Sequence, residues 1–230
     1  MSSLPVYARP SHQVVTPRII LRSARSCDAK PFVIMINDPL DSPYGREKGP
    51  DQTTDQQLDF IERCLTTTAQ GKNAWMTILL KKEYDTGSPT AAFEVGDGIV
   101  IGTTGFNSFK TEPSLSDASK SAITGDIGAV IDHRYRRKGY AIEVLSALVE
   151  YGFNELGCEQ ISLNTDETNL PWRALMKSMK LDKVEVLKRT RHPQAKGESR
   201  KMIDEAIYRL DRTIWDDSKK MLMACGKWYL

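Results

Sequence analysis

Residues 126–153 read DIGAVIDHRYRRKGYAIEVLSALVEYGF, and the order of the parts within this stretch decides the fold. The run DIGAVID (126–132) is short, apolar and partly β-branched, as a buried strand is. RRKGYA (136–141) is a cationic turn that ends in Gly139, Tyr140 and Ala141. From there Ala141, Val144, Leu145 and Leu148 recur at i, i+3, i+4 and i+7, one apolar face of a helix. A helix N-terminus presents unpaired N–H groups and a partial positive charge. A turn whose N–H groups converge in front of it makes an anion cradle, and a pyrophosphate fits such a seat. Gly139 is expected to let a ligand approach the backbone with no Cβ in the way. Arg136, Arg137 and Lys138 are expected to attract a polyanion. The competing reading is a solvated basic turn that happens to precede a helix.

Working outward, RIILRSA (18–24) reads as a strand, and Ser26 or Asp28 caps a helix through FVIMIND that ends at Asn37-Asp38-Pro39. Thr54 opens a second helix that Gly71 stops. WMTILLKK (75–82) and IVIGTTGFNSF (99–109) are strands, with a hairpin tip or insertion between them and a polar, Ser-rich loop after the second. EQISLNTD (159–166) is a strand, a short helix runs from Asn169 or Pro171 to about Met179, and two strands follow in KVEVLKRTRH and MIDEAIYRLDRTIW. Strands dominate and helices interleave, so the expected fold is a single α/β domain on a mixed sheet. Residues 1–17 are expected to form a flexible arm, 18–216 the domain, and 217–230 a tail or short helix.

The 230 residues suffice for one domain with a real core, and a net charge of +2 does not suggest a general nucleic-acid role. Four scattered cysteines and three histidines show no metal-ligand spacing, so no structural metal and no disulfide framework is expected. The first residues, MSSLPVYARPSHQVVTP, lack a basic region followed by an apolar core, and no run approaches a bilayer span; the expected location is the cytoplasm. GDGIVIG (96–102) precedes its strand rather than following it, so it is not read as a dinucleotide fingerprint.

RRKGYA also matches the R/Q-x-x-G-x-G/A signature of the GNAT acyltransferases, with Arg136, Gly139 and Ala141 at the signature positions. The surrounding order, with TPRIILRSA at the opening strand and IVIGTTGFNSF at the third, resembles the branch typified by ribosomal-protein-alanine N-acetyltransferases over about residues 16–215. That resemblance implies a GNAT-like fold with a mostly antiparallel sheet of six or seven strands, splayed at its centre and flanked by helices. It implies acetyl-CoA as co-substrate, with the pyrophosphate on the turn from Arg136 through Arg137, Lys138, Gly139 and Tyr140 to Ala141. It also implies a bulged strand at 126–132 whose backbone near Val130 and Ile131 is free to pair with the pantetheine arm, and a contact to that arm from Asn169. The chain departs from the pattern at Trp172, where Ser is frequent, and at Lys180-Leu181, where Gly-Phe is frequent.

The implied chemistry is acetyl transfer from a thioester to an amine, which must lose a proton to react. Asp126 stands at an acidic position that serves as base in some relatives, usually as Glu. One methylene shorter, it favours a bridging water; the alternative is a strand-edge charge. No tyrosine stands out as an acid for the thiolate. His133 is read as a loop histidine rather than a base, and Cys158 as a buried structural thiol. The acceptor, a protein N-terminus or a small amine, is expected between a loop carrying Tyr44, Arg46, Glu47 and Lys48 and the basic loop at 191–201. Monomer and homodimer stay open. Two other functions compete: a catalytically silent acyl-CoA-binding module, and an anion- or nucleic-acid-binding domain that lacks interleaved aromatics.

Overall fold

Strand β6 (Ser121–Ile131) and helix α3 (Tyr140–Glu155) lie at the middle of the molecule. The computed structural model describes residues 4–41, 50–85, 91–96, 98–191 and 202–230. Before β6 come β1 (Gln13–Val15), β2 (Ile19–Ser23), α1 (Ala29–Asn37), α2 (Thr54–Ala69), β3 (Ala74–Leu80), β4 (Glu94–Val95) and β5 (Gly98–Pro113). After α3 come β7 (Gln160–Asp166), α4 (Leu170–Ser178), β8 (Glu185–Arg191), β9 (Met202–Asp211) and α5 (Arg212–Ala224). The strands form one sheet in the order β1-β2-β3-β5-β6-β7-β9-β8, with β4 pairing on β5. Among the described residues that makes nine strands, more than the six or seven expected. The surplus is short: β1 is three residues and β4 two.

Every strand pair is antiparallel except β6 with β7. A parallel pair needs a crossover, and α3 supplies it. The parallel ladder has three rungs only, Thr124 with Gln160, Gly125 with Ile161 and Asp126 with Ser162. Beyond Asp126 the two strands part, while β6 stays paired to β5 as far as Gly102 with Ile131. The splay expected from the resemblance is there. The bulge is not on β6, however. The register slips on β5, between Phe106 and Ser108, so Asn107 is the residue without an opposite number.

Helix α3 is buried on nearly every side, from Tyr140 through Val144, Leu145 and Leu148 to Phe153. The single apolar face read from sequence is only half of it. The other half is covered by segments expected to be loose. Asp211 caps α5 by accepting from the Ile214 N–H at 3.0 Å, so this helix starts before the boundary placed at 217. Trp215 Nε1 and Lys219 Nζ then donate to Glu150 on α3 at 3.0 and 2.6 Å. The N-terminal arm is likewise tied down: Arg9 donates to the Glu155 carbonyl at 2.7 Å, and Tyr7 stacks on Phe109 with centroids 4.2 Å apart. Helices α1 and α2 pack on the opposite sheet face, where Phe32 and Phe60 meet Trp75 edge-on. Helix α2 begins with a reciprocal capping box between Thr53 and Gln56.

Candidate active site

Asp126 sits at the last rung before β6 and β7 part, opposite Ser108 on β5 and Ser162 on β7. Partners in register share a face, so the three side chains stand together on the face that also carries Gly128 and Val130. The carboxylate is half-buried, and its pKa is pushed up from 3.8 to about 6. Burial is the main cause; Glu205 and Glu112 push the same way, while Asn107 and Lys110 oppose it. Asn107 owes its position to the bulge on β5, and its amide donates a long hydrogen bond to Asp126 Oδ2 at 3.4 Å.

The backbone along the gap alternates. A Cβ on Gly102 would collide with the Val130 carbonyl, so that carbonyl faces β5. The Ile123 carbonyl accepts from Glu159 N at 2.8 Å and so faces the β7 side. Odd positions therefore turn toward β7. The groups open to the gap are those of Ile127, Ala129 and Ile131. Val130 is corrected: its side chain is 55% exposed, but its backbone belongs to the ladder. Ile131 turns its backbone toward the gap, but its carbonyl already accepts from Arg136 Nε at 2.8 Å.

The turn is built around two buried carboxylates. Asp132 accepts from Arg134 N at 2.9 Å and Nε at 2.7 Å. Asp41 accepts from His133 N at 2.9 Å and pairs with Arg136, whose Nη1 also reaches the Leu40 carbonyl at 3.2 Å. Arg136 thus turns back toward the exit of α1, so it braces the turn instead of reaching outward for an anion. Arg137 and Lys138 are exposed, and Arg137 takes the left-handed conformation at φ 66°. Gly139, at φ 81°, is the N-cap of α3. A Cβ there would lie 3.0 Å from the Tyr229 hydroxyl, so Tyr229 and the positive φ both require glycine at this position. Tyr140 is 5% exposed with its ring under Arg18, whereas Ala141 is partly open in the first turn of α3.

Asn169 is engaged locally. Its carbonyl accepts from Trp172 N at 3.2 Å to cap α4, and its amide donates to Thr165 Oγ1 at 2.9 Å. Trp172 packs partly buried against the core, and Leu181 is fully buried, so both departures from the family pattern are packing residues. His133 Nδ1 lies 3.2 Å from Asp41 and 3.6 Å from Asp38, at the far end of β6 from Asp126. Those three residues are a metal-type cluster among the described residues, but Arg134 and Arg136 already pair with its carboxylates. Cys158 is buried with its thiol pushed up to about 12 by desolvation. Tyr44, Arg46, Glu47, Lys48 and residues 192–201 lie outside the described residues.

The fit to an acyl-CoA can be judged on this geometry. A gap between two strands offers backbone groups on one side, and a helix N-terminus after a left-handed turn closes one end of it. An ionisable carboxylate closes the other. A gap of this kind has room along one strand for an extended ligand that bears its own donors and acceptors. The sequence model of the acetyltransferase (GNAT) domain family matches residues 18–182, and the chain belongs to that family. Acetyl-CoA is accordingly its acyl donor. The N-acetyltransferase p20 of Bacillus licheniformis, itself uncharacterised, is 25% identical over 195 residues, covering 85% of this chain and 93% of the relative. Among solved structures, Mycobacterium smegmatis RimJ in complex with CoA-disulfide superposes with a TM-score of 0.65 at 14% identity, over 98% of each chain. The microcin C7 self-immunity acetyltransferase MccE, in complex with acetyl-CoA and AMP, gives 0.58 at 16% identity, over 90% of this chain and 99% of that one. No helix among the described residues is long and apolar enough to cross a membrane.

Proposed function

We propose that this chain is a cytoplasmic N-acetyltransferase that moves the acetyl group of acetyl-CoA to a primary amine, on a protein N-terminus or a small molecule. The observation that carries the reading is Asp126, a carboxylate with a pKa near 6 at the inner end of the β6–β7 gap. At neutral pH it is ionised yet basic enough to accept a proton from an alkylammonium, directly or through a water. The amine nitrogen then attacks the thioester carbonyl, the C–N bond forms, the C–S bond breaks with its electron pair leaving on sulfur, and the nitrogen's surplus proton passes to that thiolate to give the amide and free CoA thiol. Acetyl-CoA supplies the activated carbonyl; the protein positions, desolvates and takes the proton.

The cofactor set proposed here is the backbone of Ala129 and Ile131 for the pantetheine amides, and the first N–H groups of α3 at Gly139, Tyr140 and Ala141 for the pyrophosphate. Arg137 and Lys138, exposed beside them, supply charge. Arg136 and Asn169 act behind this set by shaping the turn and α4. The test is thermal unfolding with and without acetyl-CoA, followed by CoA release over a panel of amines. Ligand at ~100 times its Kd adds about 2.7 kcal/mol, roughly 5–10 °C for a domain of this size. No shift at millimolar acetyl-CoA would overturn the cofactor site. A shift without CoA release from any amine would favour the silent binding module.

A further inference from the structure

The turn that faces the proposed pyrophosphate has a back side, and two residues distant in sequence hold it. Arg18, immediately before β2, donates through Nη1 to the Lys138 carbonyl at 3.1 Å and through Nε to Glu143 at 2.6 Å. Glu143 is fully buried and also accepts from Thr16 Oγ1 at 2.6 Å and Arg18 N at 3.0 Å. The Arg18 guanidinium lies between two rings, 4.7 Å from the centroid of Tyr140 and 4.6 Å from that of Tyr229. Tyr229 belongs to the segment after α5, which Trp228 anchors against Trp215 with centroids 6.0 Å apart and Lys219 covers at 4.7 Å. The Tyr229 hydroxyl abuts Gly139.

The consequence lies in one peptide plane. No peptide bond among the described residues is cis. In a trans peptide the C=O of one residue and the N–H of the next point in opposite directions. Arg18 grips the Lys138 carbonyl from behind, so the Gly139 N–H is aimed forward, the direction the cradle requires. The Tyr229 ring lies over the guanidinium, and its hydroxyl stands against Gly139 on the side a rotation of that residue would need. We propose that Arg18 and Tyr229 are positioning residues for cofactor binding: the C-terminal segment is a strap that locks the phosphate turn through Arg18. Neither residue touches the ligand, so the effect is pre-organisation. Linkage makes it reciprocal: if the docked strap tightens cofactor binding, bound cofactor must tighten the strap by the same factor.

The inference rests on the pyrophosphate seat proposed above, and the experiment separates the two. CoA is titrated calorimetrically into wild type, Ala141→Glu, Arg18→Lys, Tyr229→Ala and Tyr229→Phe, and amide exchange at 226–230 is followed with and without CoA. Ala141→Glu tests the seat alone, since an acidic residue suits the first helical turn but repels a phosphate. Arg18→Lys keeps a cation for Glu143 and gives up the rigid fork that also reaches the Lys138 carbonyl. The expected results are a loss of about tenfold for Arg18→Lys, the scale of one charge-assisted hydrogen bond, and a several-fold loss for Tyr229→Ala. Tyr229→Phe, which keeps the ring over Arg18, should restore most of the affinity. CoA should slow exchange at 226–230 in wild type. If wild type fails to bind CoA, or Ala141→Glu binds it as tightly, the seat itself is misplaced. If the seat holds but Arg18→Lys and Tyr229→Ala bind within twofold of wild type and exchange at 226–230 ignores CoA, the strap is overturned on its own. Should Arg18→Lys fail to fold, Tyr229→Ala and the exchange measurement decide.

Discussion

Replacing Asp126 with asparagine should make this protein more stable and less active at once. The folded carboxyl has its pKa raised from 3.8 to about 6, chiefly by burial. Between those two values the folded chain keeps a proton that the unfolded chain gives up, so stability falls as pH rises through this window. Above pH 6 the penalty is complete. At 1.36 kcal/mol per pH unit, the displacement is worth about 3 kcal/mol. The group is only half-buried, and solvent screening lowers the expected gain to about 1–2 kcal/mol. The asparagine amide carries no charge and escapes the penalty. Melting curves of D126N and wild type should coincide near pH 4 and separate by roughly 2–8 °C at pH 7–8. Activity should move the other way. A base with a pKa near 6 leaves kcat/KM about half-maximal at pH 6 and about a tenth at pH 5. Loss of a general base costs on the order of 10²–10⁴-fold. A D126N protein that melts lower than wild type at pH 8 would refute the account of the shift. A wild-type profile flat from pH 5 to 8 would refute the role.

The remaining predictions concern other parts of the molecule. His12 is 2% exposed, and burial, helped by Arg9, lowers its pKa from 6.5 to about 4. The unfolded chain takes up that proton first, so stability is lost as pH falls from 6.5 toward 4, by about 3 kcal/mol at most; His12→Gln should flatten the acid limb of a Tm-versus-pH plot. Gly139→Ala forces a side chain to φ 81° and against Tyr229, and about 1–2 kcal/mol of backbone strain should lower Tm by several degrees. In the native state iodoacetamide should reach the exposed Cys27 and Cys225; Cys64 and Cys158, with thiols pushed to about 11 and 12, should label only on unfolding, as peptide mass mapping would show. Arg22, 3% exposed, pairs through both Nη atoms with the fully buried Asp28 at 2.7 and 2.9 Å; Arg22→Met would strand that carboxylate and cost about 3–5 kcal/mol in chemical denaturation.

Much of this architecture is legible in the sequence because its central parts are local. The strand, turn and helix from Asp126 to Phe153 announce themselves by periodicity and by Gly139. Asn169 can be read as sitting at the start of α4, though not that its carbonyl and its amide nitrogen both bond within this segment. The rest depends on contacts between distant positions. Nothing in the composition of residues 13–15 says that they will pair with β2, because a three-residue edge has no period to detect. The bulge falls on β5 and not on the strand expected to carry it, since a slip in register belongs to a pair of strands and cannot be seen in one. Arg136 reads as an outward cation because its partner, Asp41, lies 95 positions away. Arg18 and Tyr229 carry no signal as parts of the turn. Their geometry exists only once both chain ends have folded onto α3.

The three-rung ladder between β6 and β7 leaves an unpaired strand edge inside the sheet. Edges of this kind normally invite other chains to add a strand, and proteins blunt them with charge, proline or brevity. At 127–131 the apolar sequence IGAVI carries none of those safeguards. Its protection is position: β7, the next strand of the same sheet, stands on the open side. A strand that added here would have to enter between β6 and β7, a different approach from the edge-to-edge docking by which sheets aggregate. A short extended peptide presents donors and acceptors at strand spacing, which makes it the natural shape for an inhibitor aimed at this edge.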